Sequence, residues 1–105
     1  MQEDRAFVCR LIDVYGDLLS ERQRDVVDLY YNEDLSLAEI SENCGITRQG
    51  VRDAIIHGVA ALREYEKKLG FASKTEKIAA LASKISSAGD ISEAKRLAEA
   101  ITGEL

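Results

Sequence analysis

Thr47-Arg48-Gln49-Gly50-Val51-Arg52 is the segment whose residue types and spacing point most directly to chemistry. If Thr47 caps a helix, Arg48, Gln49 and Arg52 project outward from its start. Arginine presents a planar fork of donors that suits guanine or a phosphate, and glutamine pairs with the N6 and N7 edge of adenine. Thr47, Arg48, Gln49 and Arg52 are therefore the candidate nucleic-acid-binding residues. Two neighbours work against strong reading of a duplex. Asp53 puts a negative charge where a phosphate or base would approach, and Gly50 costs about 1 kcal/mol of helix propensity relative to Ala.

Other reactive side chains have plainer readings. His57, the only histidine, lies in a helix interior beside Ile55 and Ile56 with no Cys or carboxylate at ligand spacing, and reads as a surface or satisfied residue. Asp25 with Asp28, and Glu33 with Asp34, read as a solvated acidic face. Cys9 and Cys44 are the only cysteines; without a CxxC they make no zinc site, and they are expected to be buried, reduced thiols on apolar faces. No glycine-rich phosphate loop, nucleophile elbow or strand is recognisable. The expectation is no catalytic residue, no metal, no cofactor and no small-molecule substrate: a binding or regulatory module, not an enzyme.

Hydrophobic periodicity supplies the elements that must position Arg48 and its neighbours. Phe7, Val8, Leu11, Ile12, Val14, Tyr15 and Leu18 form one face of a helix over about residues 4–19. Ser20-Glu21-Arg22-Gln23 is a capping box, opening a second helix to about Asn32 that buries Val26, Val27, Leu29 and Tyr30. A second box, Ser36-Leu37-Ala38-Glu39, opens a short helix with Leu37 and Ile40 inward, and Gly45 suits its left-handed C-cap. Thr47 then caps a long fourth helix reaching about Lys68, with an apolar stripe of Val51, Ala54, Ile55, Val59, Leu62 and Leu69. Residues 36–59 thus have the parts of a helix-turn-helix. Ala38 and Ser41 are small enough for the helix crossing, Gly45 turns the chain, and Leu37, Ile40, Ile46, Val51 and Ile55 lock it.

Beyond Gly70 the texture changes. Ser73-Lys74-Thr75-Glu76 reads as a further capping box, with Ile78, Leu81, Ala82 and Ile85 as the next stripe. Ser86 to Asp90 is turn chemistry, and a last helix carries Ile91, Ala94, Leu97, Ala98 and Ile101. The expected fold is all-α, with a helix-turn-helix domain over residues 1–70 and a C-terminal helical hairpin over 71–105.

Composition bounds the function. The chain has 105 residues, 46% of them hydrophobic, and no Pro to break a helix. The formal charge is −5, concentrated in residues 1–35, which hold nine acidic and four basic side chains; residues 36–70 and 71–105 are each balanced. An acidic N-terminal third counts against tight duplex binding by a monomer, though a local basic patch still acts within a screening length of about 8 Å. The acidic start Met1-Gln2-Glu3-Asp4 is unlike a signal peptide, and no apolar run reaches the ~18 residues of a membrane span. A cytoplasmic protein with no membrane partner is expected. Tyr30, Tyr31 and Tyr65 sit in amphipathic helices, which favours core or dimer-interface packing over base stacking. Ile56 lies off the buried stripe, exposed or covered by the tail or by a second subunit. A homodimer is expected, because helix-turn-helix proteins mostly read two half-sites as symmetric pairs.

Ser36 to Arg52 (SLAEISENCGITRQGVR) resembles the helix-turn-helix of region four of bacterial sigma factors. With Ser20-Glu21-Arg22-Gln23, Leu29-Tyr30-Tyr31, Thr47-Arg48-Gln49-Gly50-Val51 and Tyr65-Glu66-Lys67-Lys68-Leu69, about residues 5–70 are similar to the YlxM-type helix-turn-helix proteins. That resemblance implies a sigma-factor region-four-like bundle with a helical extension. It also implies a small bacterial protein encoded beside signal recognition particle genes and acting in that pathway or its regulation. By analogy Arg48, Gln49 and Arg52 are where DNA or the particle's RNA would be touched. The contrasting expectation is a scaffold that no longer binds DNA and contacts the particle's protein or RNA through its helical faces.

Overall fold

The computed structural model describes residues 4–105; the acidic start Met1-Gln2-Glu3 lies outside them. The regular structure among the described residues is helical throughout. The helix α1 (Arg5–Tyr15) runs into a single 3-10 turn at Gly16–Leu18, followed by α2 (Glu21–Tyr31), α3 (Leu37–Cys44), α4 (Arg48–Leu69), α5 (Phe71–Ser86) and α6 (Ile91–Glu104). This is the all-α helix-turn-helix architecture that the periodicity called for. The helices are gathered into two compact units, one ending at Leu69 and the other Gly70–Leu105.

In the first unit each helix contributes one apolar face to a shared core. Val8 and Leu11 of α1, Val26 and Val27 of α2, Ile40 of α3, and Val51 and Leu62 of α4 have no exposed surface. The capping box at Ser20 forms as expected: Gln23 N–H donates to Ser20 Oγ at 3.2 Å, and Ser20 N–H to Gln23 Oε1 at 3.4 Å. At Gly58, α4 passes close against α2. A Cβ placed there would lie 2.9 Å from Val27 Cγ1, so only glycine lets α4 lie this close to α2. Arg5 ties the start of α1 to the end of α2. Its Nη1 donates to the Tyr30 and Tyr31 carbonyls at 2.9 and 3.0 Å, its guanidinium lies over both tyrosine rings, and Nη2 pairs with Asp34 at 3.4 Å. These contacts supply partners to the carbonyls that a helix end leaves without an intrahelical bond.

Several expectations are corrected in this unit. The first helix stops at Tyr15 and not near residue 19, because the 3-10 turn at Gly16 tightens the winding and breaks the 3.6-residue register. Leu18 is consequently 57% exposed and Leu19 takes the inward position, while Val14, still within α1, lies to one side of the Val8, Leu11, Ile12 and Tyr15 stripe and is 39% exposed. Leu29 and Tyr30 are half-buried, while Tyr31, one turn after Val27, enters the core. Tyr31 packs edge-to-face on Tyr30, with ring centroids 5.0 Å apart. Leu69, at the last turn of α4, is exposed. Cys9 and Cys44 are free thiols as expected but half-buried, not buried, and Cys9 Sγ points to the Tyr31 carbonyl at 3.6 Å.

The second unit is a hairpin of α5 and α6. Gly70 adopts the left-handed conformation (φ 64°) and α5 begins at once with Phe71. The capping box expected at Ser73 therefore does not start the helix: Ser73 to Glu76 lie inside it. The last helix is capped by Asp90, whose carboxylate accepts from Glu93 N–H at 2.7 Å. Ile78, Leu81 and Ile85 of α5 and Ala94, Leu97 and Ile101 of α6 are half-buried, whereas Ala82, Ile91 and Ala98, expected in the stripes, are exposed.

Candidate nucleic-acid interface

The motif is built from three local devices. The first is the Ser36 box that starts α3: Glu39 N–H donates to Ser36 Oγ at 3.1 Å, and Ser36 N–H to Glu39 Oε1 at 3.0 Å. The backbone bond from Ser36, followed by its hydroxyl, holds the Glu39 carboxyl below the usual glutamate range. The second is the turn. Gly45 is left-handed (φ 66°), its N–H and that of Ile46 both donate to the Ser41 carbonyl, and Ser41 Oγ donates to the Ile46 carbonyl. Ser41, small enough for the crossing, thus also pins the turn. The third is the start of α4, where Gly50 N–H donates to Thr47 Oγ1 at 2.9 Å. A Cβ on Gly50 would lie 3.2 Å from that same hydroxyl oxygen and near Ile46. The glycine that looked like a weakness in the helix makes room for its cap.

These devices decide which way α4 faces. Val51, Ala54, Ile55, Gly58, Val59 and Leu62 are buried, so Arg48, Gln49, Arg52, Asp53, Ile56 and His57 share an exposed face. Arg48 and Arg52 form no ion pair or hydrogen bond with any described residue, which leaves both guanidinium forks available. Gln49 is engaged: its Nε2 donates to Asp53 Oδ1 at 2.9 Å. Ile56 is 49% exposed at the middle of this face, and His57 beside it is also exposed.

A second, opposite-signed surface lies along α1 and α2. Asp13, Asp17, Asp25 and Asp28 line one shallow depression with Ile12, Arg24 and Asn32. Arg24 pairs with Asp17 at 2.7 Å and Asn32 Nδ2 donates to Asp28 at 2.6 Å. Among the described residues no group of three or more His, Cys, Asp or Glu side chains is arranged to hold a metal ion, and no helix is long and apolar enough to cross a membrane. Thr47, Arg48, Gln49 and Arg52, the candidate residues in the sequence, come together at one helix start. The Gln49–Asp53 bond and the close approach at Gly58 were not among the expectations, although the i, i+4 spacing and a glycine inside a helical stripe signal them.

Residues 2–101 match the family described as "Putative helix-turn-helix protein, YlxM / p13 like" (UPF0122). The chain belongs to this family. A UPF0122 protein of Symbiobacterium thermophilum is 40% identical over 100 residues, covering 92% of this chain and 94% of its own length. One from Clostridium kluyveri is 47% identical over 76 residues, covering 72% of this chain and 68% of that protein. Another, from Desulforamulus reducens, is 52% identical over 64 residues, covering 61% and 55%. Family membership extends into the hairpin, well past the 5–70 segment whose motifs carried the resemblance.

Proposed function

We propose that this family member is a regulatory protein that binds nucleic acid through the first turns of α4, with Thr47, Arg48, Gln49 and Arg52 at the contact. One observation carries the reading. Arg48 and Arg52 stand exposed and unpaired at a Thr47-capped helix start that the buried α3–α4 crossing turns outward. Two cations that nothing among the described residues neutralises suit phosphate or base edges, and their affinity comes with counterion release. A homodimer would set two such helices on half-sites about 34–36 Å apart. On this reading, which the family resemblance supports, the protein acts in the signal recognition particle pathway in the cytoplasm, with an operator or the particle's RNA as the ligand.

The acidic surface of Asp13, Asp17, Asp25 and Asp28 favours a second reading. Such a surface complements a basic partner, so the protein would contact the particle's protein without binding DNA. Fluorescence anisotropy separates the two, using wild type and an Arg48→Ala/Arg52→Ala double variant against random duplex DNA, the particle's RNA and the reconstituted particle at two salt concentrations. The first reading expects nucleic acid alone to bind, with steep salt dependence. It also expects the double variant to bind more weakly and to lose about two from the slope of log affinity against log salt. Binding only to the protein-containing particle, unchanged in the variant, establishes the second.

A further inference from the structure

Asp53 is the residue on the exposed face of α4 that phosphate attraction does not account for. It follows Arg52 directly, shares the exposed face with Ile56 and His57, and would repel a phosphate approaching that helix. Yet its Oδ1 is committed, accepting from Gln49 Nε2 at 2.9 Å across one helical turn. A carboxylate only accepts, so this bond settles which end of the Gln49 amide faces it: the nitrogen is held toward Asp53 and Oε1 is turned away.

We propose that Asp53 is a positioning residue for base recognition, holding Gln49 in the orientation that takes adenine and rejects guanine. This inference rests on the nucleic-acid reading above. Adenine presents an N7 acceptor and an N6 amino donor in the major groove, whereas guanine presents two acceptors, N7 and O6. With one Nε2 hydrogen on Asp53, the second remains for N7 and Oε1 remains to accept from adenine N6. Opposite guanine the same Oε1 meets O6, acceptor against acceptor. Turning the amide over would only set Oε1 against guanine N7, and rotating it to offer both Nε2 hydrogens to the base would break the Asp53 bond. The pair therefore builds an unfavourable contact against the wrong purine, and its negative charge lowers sequence-independent binding as well. Pinning the long glutamine side chain before it meets a base also reduces the rotamer freedom lost on binding.

The plain alternative is a surface pair that only supports the helix. Base preference separates them, because a structural role would not move it. The preferred duplex is first selected from a randomised library with the wild-type protein. The position read by Gln49 is the one whose preference Gln49→Ala relaxes, and affinities are then measured for that duplex and its A·T→G·C variant. Wild type is expected to prefer adenine by about tenfold or more. Asp53→Asn, isosteric and exposed, can offer Gln49 a donor as readily as an acceptor and so no longer fixes the amide; it should lose most of that preference while binding random duplex more tightly. Asp53→Glu keeps an acceptor-only carboxylate and should restore part of it. In the Gln49→Ala background Asp53→Asn should change the preference no further. A selected site whose purine preference survives Asp53→Asn, or shifts equally with and without Gln49, overturns this inference alone. A folded wild type that binds no duplex DNA overturns this inference, and one that binds neither duplex DNA nor the particle's RNA overturns the nucleic-acid reading with it.

Discussion

The unit ending at Leu69 and the Gly70–Leu105 hairpin carry the same period of apolar residues and bury it to different depths. In the first, Val8, Leu11, Val26, Val27, Ile40, Val51 and Leu62 reach zero exposure. In the hairpin Ala72 is the only described residue in the buried core, and Ile91 and Leu105 are more than four-fifths exposed. Each helix of the first unit meets neighbours on more than one side, whereas within a hairpin a helix has a single partner. An apolar stripe therefore fixes which side of a helix is inward but not how deep it lies. That depth depends on how many elements converge. Segments below about 40 residues seldom bury enough surface to be stable alone without a disulfide, a metal or a partner. The hairpin, whose 36 residues include no cysteine, relies more on alanine-rich helix propensity and on its Asp90 cap.

The largest expected effect tests this difference directly. Leu62→Ala empties a fully buried site and should destabilise the first unit by about 2–5 kcal/mol. Leu97→Ala, at a half-buried site in α6, should cost about 1 kcal/mol. All four tyrosines, Tyr15, Tyr30, Tyr31 and Tyr65, belong to the first unit, so their fluorescence reports on it while far-ultraviolet circular dichroism sees every helix. In a urea titration the dichroism should lose amplitude before the tyrosine signal moves. Leu97→Ala should shift only that early phase, and Leu62→Ala the tyrosine-detected transition. Superimposable curves in all three proteins would mean that the units melt as one, and the contrast would collapse.

Legibility divided by the range of the contact and not by unit. The boxes at Ser20 and Ser36, the cap at Thr47 and the left-handed Gly45 were readable because each is a short-range device whose partners lie within a few residues. The exposed set of Arg48, Gln49 and Arg52 was readable because burial of Val51 and Ile55 dictates it. What escaped depends on distant partners or on a single residue's backbone. Arg5 capping the end of α2 spans 25 residues, and Gly58 matters only because Val27 lies opposite. The Ser73 box had the right letters, but the left-handed Gly70 starts α5 three residues earlier and places those letters inside the helix. Leu18 was misplaced because a 3-10 turn is a change of winding that periodicity does not announce.

Cap removal sharpens the comparison at a smaller scale. Ser36→Ala deletes the acceptor for Glu39 N–H and should cost about 1 kcal/mol, lowering the urea midpoint of the tyrosine-detected transition. Asp90→Ala removes the equivalent acceptor from α6. Its cost should be similar, but it should appear in the dichroism phase assigned to the hairpin, with the tyrosine transition unmoved. A shift of the tyrosine signal by Asp90→Ala would show that the α6 cap supports the first unit as well.

The smallest effect concerns pH and belongs to the first unit alone. The folded Glu39 carboxyl sits below its ordinary value because Ser36 donates to it, and the N-terminus of α3 also favours a negative charge. In the unfolded chain the group returns to about 4.3. The unfolded state therefore binds the proton more readily. The contribution of Glu39 is complete above the ordinary glutamate value and is lost as pH falls through the lower folded one. Glu39→Gln keeps an oxygen for the Ser36 N–H but carries no charge and does not titrate. Wild type should exceed Glu39→Gln in urea midpoint at pH 7, and that gap should close on descending through pH 4 toward pH 3. Because the carboxylate is exposed, added salt should narrow the gap at pH 7 too. A gap that stays constant across this range would assign the acid sensitivity of the first unit to its other carboxylates, with Asp13, Asp17, Asp25 and Asp28 the next to examine.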